Sequence, residues 1–497
     1  MGRQEIPDDK YGWRNHWGFK FNWTPEHLKP KDLEPLIHTY DVVATECLER
    51  LDEISPPPSF TAAPKQDGTE ATTKPDGEKQ KHRDLYALLR EHAATEPKVG
   101  RLWDEIHTVP EWVDWEQVER GQKVFFRYAG PVLMTLTFVG LLGGMTSGRA
   151  VETLDRTGGF GVDAVRRRLL ETMQHTLDVH RDVASIRPGG AGFEDSVRVR
   201  LLHAGVRRRI LAIQAAVAAS RPGSPSYYDA RTLGVPISDL DCVGTINEFA
   251  CEVIWIGLPR QGIVMRPGEI EDYLALWRYV AYLMGAPHDW LATPGSARRM
   301  MESLIVSEMQ PTSRSAALAN NILDGLASQP PTYASREFLC AEVWWLNGPE
   351  VARALEVGWP GWYYYALVLG QCIFFAVTCY VNRSVPWLDE RNIKLVRHIL
   401  YQAFIHDKSK GGLGYTSKFP LKYVPSFDRP ATQRGPGSAI APDSKRKTSR
   451  TERTALISLL LATAIVGTGL WAVKGRVRMS AKGTGNGPLK VQVPEEI

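Results

Sequence analysis

The chain has 497 residues and is poor in several features that would fix its chemistry at once. Its six cysteines (Cys47, Cys242, Cys251, Cys340, Cys372 and Cys379) are scattered, with no C-x-x-C pair, so no zinc or iron–sulfur framework is readable. Cys242 and Cys251 read as small apolar residues of a buried helix. Neither sign of charge is in excess. The 60 Lys and Arg against 56 Asp and Glu leave +4, and with no basic–aromatic patch this points away from nucleic acid as a partner. There is no G-x-S-x-G elbow and no H-E-x-x-H helix, the signatures of α/β-hydrolases and zinc proteases. The opening MGRQEIPDDKYGWRNHWGF has no apolar run of the length a signal peptide uses, and Ile6 stands where a myristoylation motif needs Ser or Thr. Convincing period-two strands are also missing, so the expected fold is all-α.

What is present divides the chain. Residues 1–54 read as an aromatic N-terminal segment that ends in an amphipathic helix around Leu33–Ile54. Residues 55–82 are rich in Pro, Lys, Asp and Thr with little to bury, the composition of a disordered linker. Helical patterning runs from Asp84 to about His406, which places a catalytic domain at 83–420. A polar linker follows at 421–453. The twenty residues Thr454–Val473, TALISLLLATAIVGTGLWAV, carry no charge. At 1.5 Å per residue they reach roughly 30 Å, the hydrocarbon thickness of a bilayer, and read as a single-pass transmembrane anchor ahead of a basic tail at 474–497. Arg450 and Arg453 precede the run and Lys474, Arg476 and Arg478 follow it, so the positive-inside rule leaves its orientation open. Two further uncharged runs, Tyr128–Gly148 and Gly361–Val381, read as core, the second with partial burial in a membrane as the alternative. The sequons at Asn22 and Asn382 matter only for a luminal domain. Fifteen Trp and seventeen Tyr suit either a large apolar pocket or a membrane interface.

The stretch Val197–Ile210, VRVRLLHAGVRRRI, puts Val199, His203, Val206 and Ile210 on one stripe of a helix, flanked by Arg198, Arg200, Arg208 and Arg209. His203 is then either a satisfied core residue or a ligand to haem iron or another metal, because a neutral imidazole offers a lone pair. The preceding helix is expected over Ala164–Ser185, capped by Asp163 and ended by Pro188-Gly189-Gly190. Its inward face should hold Val165, Arg168, Leu169, Thr172, Thr176, Val179 and Val183, with Glu171, Gln174, Asp178 and Arg181 on the other side. Arg168 and Thr172 thus enter an aliphatic stripe one turn apart. An unpaired buried guanidinium costs several kcal/mol, so Arg168 needs an anion: Glu152, Asp155 or a cofactor carboxylate.

At these residues the chain resembles the rubber oxygenases (latex clearing proteins) and the fungal endoplasmic-reticulum-bound oxygenase of mycophenolic acid biosynthesis, which share a catalytic domain. The matching pieces occur in order: VPEWVDWEQVERGQKVFFRYAG at Val109–Gly130, ETLDRTGGF at Glu152–Phe160, RRRLLETMQHTLDV at Arg166–Val179, RPGGAGFEDSVRVRLLHAGVRR at Arg187–Arg208, GVPISDLDCVGTINEF at Gly234–Phe249 and YLALWRYVAYLMG at Tyr273–Gly285. The resemblance implies an all-α, globin-like haem-binding core. It implies haem b held by iron coordination at His203, Arg168 and Thr172 beside it, and Glu152 as a base. His175 and His180 are the other rings on these helices able to take the metal. The implied chemistry is the use of dioxygen to oxidise or cleave a C=C bond of a hydrophobic isoprenoid or other secondary metabolite, in a membrane-anchored enzyme of the endoplasmic reticulum. One residue departs from the pattern: the rubber-cleaving members carry a lysine just before the threonine, where this chain has Glu171. The alternatives are a non-haem hydrolase or cyclase on the same fold, or a protein that has lost its cofactor.

Overall fold

A computed structural model describes residues 11–57, 83–220, 226–414, 430–433 and 449–465. The described chain is mainly helical, with one departure from the all-α expectation: strands β1 (Gly12–His16) and β2 (Phe19–Trp23) form an antiparallel hairpin. Its turn is Trp17-Gly18, both left-handed at φ +53° and +78°. Phe19, Phe21 and Trp23 are buried at every second position, so the alternation was present in FKFNW. Five residues around a turn without Asn-Gly or Asp-Gly give a weak strand signal.

Behind the hairpin, α1 (Val42–Ile54) is capped by the Asp41 carboxylate, which accepts from the Ala44 amide, and buries Ala44, Cys47, Leu48 and Leu51 at helical spacing. It packs on α2 (Pro97–His107). Helix α3 (Trp115–Arg127), capped by Asp114, continues after an 84° bend into a buried helical segment over Ala129–Met134 and Thr135–Gly143. The uncharged run from Tyr128 therefore lies in the core. Helix α4 (Gly148–Thr157) ends at Gly158, whose φ of +67° makes it a left-handed cap.

Helix α5 spans Val165–His180, shorter than expected. Its N-cap is Ala164, without a side-chain bond, rather than Asp163; the chain turns after His180 and restarts at Val183–Ile186 under an Asp182 cap. Glu171, Gln174 and Asp178, expected on an outer face, are buried, because α5 is central, with neighbours on several sides. Helix α6 (Ala191–Ser220) runs for 30 residues, about 45 Å, antiparallel to α5. Then come α7 (Asp239–Phe249), α8 (Pro267–Leu283) and α9 (Pro294–Glu308). Helix α8 begins with Pro267 in its first turn and lies along α3. Helices α10 (Ser313–Leu326) and α11 (Arg336–Leu346) close the core.

Two outer helices complete the described fold: α12 (Trp362–Ser384) and α13 (Pro386–Leu400). They are fastened by charge. The Arg127 guanidinium donates to both oxygens of Asp389 at 2.6–3.0 Å and to Glu269 at 3.0 Å. Tyr128 donates to Glu269, and Arg383 to Tyr128, each at 2.9 Å. Such a network is rigid because each buried lone pair has a charged or polar donor.

The expected linker at 55–82 lies almost wholly outside the described residues, as do most of 421–453, residues 466–473 of the 454–473 run and all of 474–497. Two pieces of that region are described, and both are docked. Ala431–Gln433 forms a turn in which the Thr432 amide donates to Asp155 at 2.9 Å. Residues 450–465 form a helix that crosses α12 at Gly370, where a Cβ would come within 2.1 Å of the Ala455 carbonyl oxygen. Overpacking such a crossing costs about 1–3 kcal/mol. Gly370→Leu should therefore unseat the 450–465 helix. A thiol placed at Ala455, 1% exposed, should react slowly with a maleimide in the parent chain and several-fold faster once the glycine is replaced, while far-ultraviolet circular dichroism stays unchanged.

Candidate functional site: a cavity between two antiparallel helices

The site is set by how α5 and α6 meet. Gly192, at the start of α6, lies against the α5 backbone; a Cβ there would stand 2.7 Å from the Asp178 carbonyl oxygen and 2.9 Å from Val179 Cα. Ser185 ties the junction, donating to Asp178 O at 2.6 Å and accepting from the Gly192 amide at 3.1 Å. One turn along, His175 Nε2 and Ser196 Oγ are 3.0 Å apart. Counting outward in opposite directions from Gly192 and Asp178, eleven residues lead to His203 on one helix and Arg167-Arg168 on the other. A cavity of about 780 Å³ opens there, lined mainly by apolar side chains of both helices, α4, α7 and the 135–145 segment. That volume suits a site that encloses a small molecule or cofactor, roughly 300–1,000 Å³.

Val199, His203 and Val206 face this cavity, whereas Ile210 packs in a small separate cluster with Tyr228. The His203 ring is surrounded by protein yet keeps accessible surface, which opens into the cavity. Burial, with Arg207 and Arg168 adding repulsion, pushes its pKa down to about 3. At neutral pH the ring is an uncharged imidazole, and among the described residues it has no hydrogen-bond partner. The other two histidines differ. His175 also lines the cavity, but its Nε2 meets Ser196. His180 lies outside it, stacked 4.1 Å from the Phe125 ring, with Nδ1 on Thr176 O at 2.6 Å.

Arg168 and Thr172 reach the same cavity. The Arg168 guanidinium lies 4.8 Å over the Phe160 ring, a cation–π contact. Thr172 donates to the Arg168 carbonyl at 3.1 Å, which leaves its oxygen lone pairs open to the cavity. Glu152 is placed elsewhere. Its carboxylate receives Arg156 at 2.6 Å and Arg314, and it is not part of the cavity wall. Asp155 is held by Arg314 and Thr432.

The wall instead carries Glu171, expected on the outer face, and three carboxyls that the sequence does not single out. Glu171, 1% exposed, takes a bond from Arg167 Nε at 3.3 Å on one oxygen and none on the other; burial raises its pKa. Glu248 and Glu252, one turn apart, are both pushed up by burial, Glu252 to about 8. Glu342, also raised to about 8 by burial, accepts from Gln371 of α12. A signal for these existed: in NEFACEVIWIG and FLCAEVWWL single glutamates interrupt apolar helices, where a charge is expensive unless neutralised. Among the described residues no three His, Cys, Asp or Glu side chains converge as a metal cage would need. A lone imidazole suits instead a metal whose remaining ligands come from an organic macrocycle.

Residues 126–369 supply the class, an oxygenase catalytic domain, which makes the chain an oxidoreductase. The family model they match is described as "ER-bound oxygenase mpaB/B'/Rubber oxygenase, catalytic domain", and the match supports that family over just under half of the chain. The match takes in α4–α11, His203 and the first turns of α12. Among solved structures, one titled "Structure of Latex Clearing Protein LCP in the closed state" is similar at 17% identity, covering 61% of this chain and 79% of that one, with a TM-score of 0.42. A score of that size marks a distant likeness. No curated protein matches the chain.

Glu342 gives a measurable pH dependence. Its folded pKa lies above that of the unfolded chain, so its contribution to stability is complete below about 4.5 and is lost as pH rises through about 8. The thermal midpoint should fall between about pH 5 and pH 8, and Glu342→Gln, which keeps the Gln371 contact without a titrating proton, should flatten that part of the curve. A profile unchanged by the substitution would show that Glu342 is already ionised at neutral pH.

Proposed function

We propose that the chain is a haem b-dependent oxygenase. It would use dioxygen to oxidise or cleave a C=C bond of a hydrophobic isoprenoid or related secondary metabolite, while held at a membrane. The endoplasmic reticulum named in the family description is the membrane proposed. The observation that carries the reading is His203: a neutral ring without a partner, facing an apolar cavity that also holds Arg168 and Thr172.

His203 would be the iron ligand, since its lone pair is free over the whole physiological range. Arg168, already stacked on Phe160, would pair with a carboxylate of the macrocycle through charge-assisted hydrogen bonds. When bound, the haem supplies the iron-centred activation of dioxygen. The protein's share is positioning and proton control. The apolar wall excludes water and orients a greasy substrate by shape. Thr172 keeps its proton on the Arg168 carbonyl, so toward the cavity it acts as an acceptor that orients a water or a substrate hydroxyl. Glu171 replaces Glu152 as the proposed proton-handling group: it belongs to the cavity wall, one of its oxygens has no hydrogen-bond partner, and burial raises its pKa.

Three measurements test this. The purified protein should show the Soret band of haem, and His203→Ala should abolish it; an unchanged spectrum would move the ligand to His175. Glu171→Gln should keep haem content and lower turnover by about 10²–10⁴, the span usual for a general acid or base, whereas Glu152→Gln should act mainly through stability, by loosening Arg156 and Arg314. Products formed under isotopically labelled oxygen should carry the label in new carbonyl or hydroxyl groups.

A further inference from the structure

The outer face of α12 carries an uninterrupted apolar stripe. Leu369, Phe374, Val377 and Val381 are 38–57% exposed, at helical spacing and with no charge among them. Its ends are marked differently: Trp359, Trp362 and Tyr363 are exposed at one, and Trp387 at the other, beside a half-buried Arg383 that donates to Tyr128. Aromatic and basic residues bracket a hydrophobic stretch in this way where a helix meets both interfaces of a bilayer. Among the described residues α12 is the one helix long and apolar enough to cross a membrane. The 450–465 helix seated at Gly370 exposes Ile457, Leu460, Leu461 and Ile465, and the uncharged run it belongs to continues in sequence to Val473. Helix α13 alternates exposed Leu395 and Ile399 with Arg391, Lys394 and His398, the mixture of an interfacial helix. A glycine at a helix crossing is how apolar helices approach closely in lipid. Exposed apolar area on this scale is rare on a protein surrounded by water.

The cavity wall includes parts of these same elements: Ile399 and Leu400 at the end of α13, Ala403 and Phe404 just after it, and Thr451 at the start of the 450–465 helix. Ile399 is both half exposed and part of the wall, so it stands at the mouth. We infer that the mouth lies between the end of α13 and the 450–465 helix, on a face embedded in the bilayer. The hydrophobic substrate of the proposed function is therefore taken up sideways through this mouth, from lipid rather than from water. The inference rests on the proposed function for the chemistry, but its geometry does not need the haem.

The test uses the full chain in phosphatidylcholine vesicles. A bimane label at Ile399→Cys or Leu395→Cys should be quenched several-fold by nitroxide-labelled phosphatidylcholine, and one at Arg231→Cys, 95% exposed on its side chain, should not. Uptake of dodecylpyrene, a long apolar probe, should follow its mole fraction in the bilayer and fall when inert lipid is added at constant bulk concentration; Ala403→Trp should slow it. Water-like emission at Ile399, or a mouth shielded because two copies crosslink through α12, would overturn the inference, as would uptake that follows bulk concentration alone. Neither readout involves iron. A colourless His203→Ala variant that is still quenched at Ile399 supports the mouth, and a parent chain that never takes up haem but is quenched defeats the proposed function alone.

Discussion

The cavity depends on one close approach. At Gly192 the backbones of α5 and α6 come as near as two helices can without a side chain between them, and Ser185 locks the junction. Because the helices run antiparallel from that point, the pairing of their faces follows by counting: Ser196 meets His175, and His203 faces the turn of Arg168. A Cβ at position 192 would push the helices apart at the pivot, and every pairing further out would shift with it.

Around that pivot the cavity wall joins apolar surface to ionisable groups that burial keeps uncharged. The two cavity histidines are held as bases, and the carboxyls Glu171, Glu248, Glu252 and Glu342 are all driven toward their protonated forms. Desolvation acts in opposite directions on the two kinds of group, yet the result is the same: little net charge in a low-dielectric space. Full charges in the wall include the ion pairs of Arg149 with Asp241 and Glu308, and Arg168 stacked on Phe160; away from the wall Arg156 and Arg314 hold Glu152, and Arg127 holds Asp389 and Glu269. The Arg127 pairs fix the outer helices to the core, so an apolar face can project from the domain without loosening it.

The sequence by itself determined the helices and the stripe that bears His203. Periodicity is local, and Val199, His203 and Val206 share a face whatever lies opposite. It also located Arg168 and Thr172, one turn apart, and the apolar runs that became α12 and the 450–465 helix. Tertiary structure decided which polar residues the cavity keeps. A helical wheel assigns one face to the core and one to water, but α5 is surrounded, so Glu171, Gln174 and Asp178 are buried, while Thr172 on the expected inner face keeps accessible surface. Glu152 lay in the right stretch of sequence, yet Arg314, 162 residues away, draws its carboxylate off. The mouth was equally illegible, because it joins α13 to a helix some fifty residues later in the chain. Which partner a charged group finds, and which face of a helix looks into a void, are long-range facts, and no spacing along the chain encodes them.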